Sequence, residues 1–173
     1  MSNLSTILQN LRSQIVSTSS LPNEKVVILA GDPEFDRARR FKFEEEGVNL
    51  PLLTLGDNLI MLVPSDFNVD KQIQGGAGRY ALYFEGVIKV YCITRLYTDI
   101  SYQDSTRLTH ASLGVIQMAS KVMNGLEQYY PQVDGKHLFA NPLATSKLQF
   151  LPTVKGYAQA SAELSITWLQ DLS

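Results

Sequence analysis

The chain has 173 residues, 45% of them hydrophobic, with 15 Lys and Arg against 17 Asp and Glu and a formal net charge of −2. That length can bury a core as one domain without disulfides or metal, and the near-neutral balance carries no broad basic footprint for nucleic acid. The single cysteine, Cys92, excludes an internal disulfide and thiolate-rich zinc sites.

The chain opens with MSNLSTILQNLRSQIV, in which Leu4, Ile7, Leu8, Leu11 and Ile15 fall on one stripe of a helix. The spacing predicts a helix over about residues 3–18, ended by Ser17 to Ser20 and by Pro22-Asn23. This start is amphipathic and does not read as a signal peptide. No apolar run approaches the ~20 residues a membrane helix needs. A soluble protein with no membrane partner, made in a cytoplasm, is expected.

KVVILA (Lys25 to Ala30) is a short, nearly all-apolar strand rich in β-branched residues. The stretch after it is dense in charge, with Arg37, Arg39, Arg40 and Lys42 preceding Glu44, Glu45 and Glu46. It reads as a long loop over about 31–47. NLIMLVP (Asn58 to Pro64) is a second buried strand, opened by the turn pair Gly56-Asp57. Ser65 to Arg79 is polar and ends in Gly75-Gly76-Ala77-Gly78-Arg79, so a second long loop is expected over about 64–79. That glycine run is not a phosphate loop. It lacks the Gly-Lys-Ser/Thr ending and leads into a strand rather than a helix.

Tyr80 to Leu96 is the longest strand candidate. Tyr80, Leu82, Phe84, Ile88, Val90 and Cys92 share one face, and Gly86 marks a bulge or bend in mid-strand. After a polar connection, Asp104 or Ser105 can cap a second helix reaching about Tyr129. Its apolar side carries Leu108, Ala111, Val115, Met118, Ala119, Val122, Met123, Leu126 and Tyr129, and Pro131 stops it. Residues 132–156 are loop-rich, with short strands near Lys136–Asn141 and Lys147–Leu151. The last strand, YAQASAELSITW, alternates cleanly. Ala158, Ala160, Ala162, Leu164, Ile166 and Trp168 take one face, and Tyr157, Gln159, Ser161, Glu163, Ser165 and Thr167 the other. Together these elements predict an α/β (α+β) fold in one domain spanning 1–173. Its mainly antiparallel sheet carries both helices on one face.

Sites of chemistry are sparse. His110 and His137 have no acidic or histidine partner at ligand spacing. Cys92 sits on an apolar strand face, where a thiol is a small hydrophobe rather than a nucleophile. The acidic pairs Asp32/Glu34 and Glu44–Glu46 read as solvated charge. No catalytic residue, cofactor site or metal site is expected, and the chain does not read as an enzyme.

The strand YALYFEGVIKVYCITRL, the helix DSTRLTHASLGVIQMASKVMNGLEQYY and the closing strand GYAQASAELSITWL, with the leading helix, follow a pattern of elements. That pattern resembles the tail-terminator family of tailed bacteriophages and related neck and tail-completion proteins. The resemblance spans about residues 1–20 and 80–172. It implies a structural virion protein, assembled in the host cytoplasm into a homo-oligomeric ring, commonly a hexamer. The ring ends the tail tube and joins it to the head connector. The implied partners are the chain itself, a tail tube or sheath protein and the head connector protein, with DNA only as cargo through a lumen. A head-closure or connector protein of the same neck is the alternative within this class, and a small ligand-binding or enzymatic α/β domain the alternative outside it. On the ring reading, two segments are candidate contacts. One is the charge block Arg37, Arg39, Arg40, Lys42, Glu44, Glu45 and Glu46, and the other is Gly75, Gly76, Gly78 and Arg79. The polar face of the last strand would then line the lumen or meet a neighbour, where an ordinary half-buried sheet would leave it in water.

Overall fold

A computed structural model describes residues 3–30, 34–35, 41–42, 58–74, 79–95, 105–127, 129–133, 136–137, 144–151 and 157–171. Helix α1 (Asn3–Ser19) and helix α2 (Ser105–Leu126) accompany strands β1 (Val26–Ile28), β2 (Glu34–Phe35), β3 (Phe41–Lys42), β4 (Asn58–Gln74), β5 (Arg79–Arg95), β6 (Gln132–Val133), β7 (Lys136–His137), β8 (Ala144–Phe150) and β9 (Tyr157–Asp171). Five strands form the main sheet in the order β1-β4-β5-β9-β8, while β2-β3 and β6-β7 are separate two-stranded pairs. Only β1 with β4 is parallel; β4-β5, β5-β9 and β9-β8 are antiparallel. The fold is the expected α+β one, a mostly antiparallel sheet with both helices on one face.

The helix-side core follows from three periodicities meeting. Ile7, Leu8, Leu11 and Ile15 of α1 and Val115, Met118, Ala119, Val122 and Leu126 of α2 are buried against Ile60, Leu62, Ile88, Val90, Cys92 and the even face of β9. Small Ala158, Ala160 and Ala162 line one stretch of that face, and Leu164, Ile166 and Trp168 fill the next. Side-chain hydrogen bonds fix where α1 hands over to the sheet. Arg12 donates from Nε to the Val26 carbonyl and from Nη2 to the Asn23 carbonyl, both at 2.6 Å. Ser20 takes a left-handed φ of 59° just beyond the helix, and the chain turns there. Gln14 donates to the Gly125 carbonyl at 3.0 Å and ties α1 to α2.

The structure corrects two expectations. First, Ser65 to Gln74 is not a loop: it continues β4, which pairs with β5 from Asn58↔Thr94 to Gln74↔Arg79. Pro64 pairs with Ile88 and Phe67 with Gly86, so Ser65 and Asp66 together oppose Val87. This is a bulge, and it lies on β4 opposite Val87, beside the Phe67–Gly86 pair, rather than on β5 itself. The extra residue reverses parity. Ile60 and Leu62 face the helices before the bulge; Phe67, Val69 and Lys71 take that side after it. Second, the odd face of β9 is not wet along its whole length. Gln159 and Ser161 are buried, and Ser165 is exposed. Gln159 lies in the row Leu59-Ile93-Gln159 and Ser161 in the row Met61-Tyr91-Ser161. Those rows belong to a second apolar cluster, Leu59, Met61, Val63, Tyr91 and Ile93, packed with Val27, Leu29 and Leu151. β4 and β5 are apolar on both faces here, as their unbroken runs LIMLV and VYCI require.

Candidate assembly surface

The candidate contact residues fall mostly outside the described residues. Arg37, Arg39, Arg40, Glu44, Glu45 and Glu46 do so, as do Gly75, Gly76 and Gly78. Lys42 pairs with Glu34 in the β2-β3 ladder, and Arg79 opens β5 opposite Gln74. His110 lies in α2 and His137 in β7. Cys92 is buried on the helix side, and burial pushes its thiol up to about 12. Among the described residues no three His, Cys, Asp or Glu side chains group as metal ligands would, and no helix is long and apolar enough to cross a membrane.

A different surface emerges from the order of the sheet. α1 packs beside β1, and α2 packs over β9 and β5. The helices thus pack on β1, β5 and β9 and share their core with β4, and among the described residues β8 is an edge strand with no helix over its helix-side face. In the β8-β9 ladder Leu148 pairs with Ala162 and Phe150 with Ala160, so both point to the helix side. They are 41% and 54% exposed. α2 carries two further exposed apolar residues, Ile116 and Leu113, 42% and 53% exposed. Ile116 is nine residues from Gly125, which α1 touches. At ~100° per residue it lies about 180° around the helix, on the flank away from α1 and toward β8. Apolar side chains grouped this way on a protein surface mark an interaction site more often than chance.

The other edge of the sheet has a free portion too. β1 pairs only with Ile60, Met61 and Leu62 of β4. Beyond the bulge, the outer side of β4 has no strand partner among the described residues. Asn68, Val69, Asp70 and Lys71 are exposed on it, Val69 at 50%. On the face away from the helices, Lys147 of β8 lies 3.9 Å from Glu163 of β9. The sheet thus ends in two exposed strands on opposite sides of the molecule, each carrying apolar residues toward the helix layer and a charge toward the other face.

Sequence reasoning passed over Leu113, Ile116, Leu148, Phe150 and Val69. A signal existed for four of them. Ile116 and Leu113 are apolar at positions off the buried stripe, and KLQF alternates on a segment too short to bury both faces. No protein-family model matches the chain, and no curated protein matches its sequence.

Proposed function

We propose that this chain is a structural subunit of a bacteriophage neck or tail. It works by assembling with copies of itself into a ring that ends the tail tube and meets the head connector. One observation carries the reading: among the described residues a single sheet offers two different unpaired edges on opposite sides of the subunit. Closed rings need such a pair of surfaces, because a head-to-tail contact joins unlike patches and continues until it closes. The two helices on one face of the sheet, with the long strands β5 and β9, agree with the element pattern on which the resemblance stands. Residues that would touch a tail tube or head connector are sought on the two rims of such a ring.

Electron microscopy of the purified chain tests this reading. It predicts closed rings with an axial opening wide enough for duplex DNA. Particles of single-subunit size at every concentration overturn it.

A further inference from the structure

The geometry points to the contact that joins neighbouring subunits: the outer half of β4 of one copy adds to the outer edge of β8 of the next. This inference builds on the ring reading and names its interface. Within one subunit β4 and β8 run antiparallel, because three antiparallel steps separate them. A neighbour related by a head-to-tail rotation therefore presents its β4 antiparallel to β8, the geometry in which residues pair directly across two strands.

The register follows from side chains. Val69 and Phe67 face the helix side of β4, and Leu148 and Phe150 face the helix side of β8. Asp70 and Asn68 face the other side of β4, and Lys147 and Gln149 the other side of β8. With Val69 opposite Leu148, every one of these pairs falls on its proper face. Phe67 meets Phe150 and Val69 meets Leu148 on the helix side, under the flank of α2 that carries Ile116. Asn68 meets Gln149 and Asp70 meets Lys147 on the other. A slip of one residue would turn each apolar side chain toward the polar face of its partner.

Charge selects this neighbour over other strands. Lys147 and the register shift at Ser146 guard β8 against indiscriminate pairing, as lysines and bulges do on natural edges. A lysine in mid-edge rejects a cation opposite it and accepts an acid. Asp70 of the neighbour is that acid. A two-fold pairing of β8 with β8 lacks it: Lys147 there finds Gln149 or another Lys147. The occupant is accordingly a second copy of this chain presenting β4.

Charge reversal tests the pairing. D70K and K147D each set like charges across the contact and should weaken self-association by roughly tenfold or more. In an equal mixture of the two variants every contact between unlike subunits regains one acid and one base. Assembly should therefore return in the mixture, as alternating rings visible by sedimentation. A second test keeps the idea open to refutation should K147D disturb the fold near Glu163. V69C/L148C, oxidised in air with a copper catalyst, should give a ladder of cross-linked multimers, whereas V69C or L148C alone should give pairs at most. Rings that persist in D70K and K147D, with no ladder from the cysteine pair, would overturn this interface and leave the ring reading standing. A wild-type chain that never assembles would remove both.

Discussion

Phe67 covers Gly86 across the β4-β5 ladder. A Cβ added at Gly86 would meet the ring of Phe67 and stand 2.6 Å from the backbone oxygen of Asp66. The aromatic ring takes the place of the missing side chain and seals the strand where the bulge bends it. Gly86→Ala should therefore destabilise the fold by about 1–3 kcal/mol through overpacking. In a Phe67→Ala background the penalty should shrink without vanishing, since the Asp66 carbonyl stays in place. A double-mutant cycle in urea measures that coupling; independent, additive costs would place Phe67 elsewhere.

That same bulge explains what was legible in the sequence and what was not. The alternation of β9, the stripe of α1 and the stripe of α2 each keep one period from end to end, and their residues buried between sheet and helices could be read directly, whereas the burial of Gln159 and Ser161 on the other face of β9 could not. β4 does not. Its first stretch, LIMLV, is apolar on both faces, whereas beyond Pro64-Ser65-Asp66 the apolar residues Phe67, Val69 and Ile73 fall only on odd positions. A phase slip inside one strand looks like a strand followed by a loop. The candidate assembly surface was harder still. Exposure of Leu148 and Phe150 follows from which strands the helices cover, and that depends on strand order across more than a hundred residues of sequence separation. The charged and glycine-rich stretches drew notice because composition is local, whereas a sheet edge is not.

Trp168 is buried to 1% exposure, stacked on Phe84 at 4.6 Å between centroids and met edge-on by Phe67 at 5.5 Å. Its Nε1 has no hydrogen-bond partner. Trp168→Ala should cost about 3–5 kcal/mol. Trp168→Phe should cost well under half of that, because it keeps an aromatic surface against Phe84 and removes the buried orphan donor. Equilibrium denaturation of the two variants checks the order; a near-neutral Trp168→Ala would contradict the core assignment.

Gly125 lets α1 and α2 approach. A Cβ there would stand 2.6 Å from Thr18 Oγ1 and Cγ2. In an open helix Gly→Ala stabilises by about 1 kcal/mol. Here the sign should reverse, with Gly125→Ala destabilising by about 1–3 kcal/mol. Thr18→Ala in the same chain should restore most of the loss, as a melting-temperature comparison would show.

Cys92 provides a pH test. Burial raises its folded thiol from an ordinary 9.0 to about 12. The native state therefore holds a proton that the unfolded chain releases. This contribution to stability is whole below pH 9 and is lost as pH rises from there toward about 12, at close to 1.4 kcal/mol per pH unit. Compared with Cys92→Ala, which lacks the group, the wild type should lose stability faster across that window and at the same rate below it. Parallel curves throughout would show an exposed thiol.

Self-assembly is the central test, and native mass spectrometry of the wild-type chain across a concentration series measures it most directly. The ring reading predicts one discrete closed multiple of the chain mass, six subunits being the expected number, that gains population with concentration while open intermediates stay scarce. A single subunit mass at every concentration would contradict it.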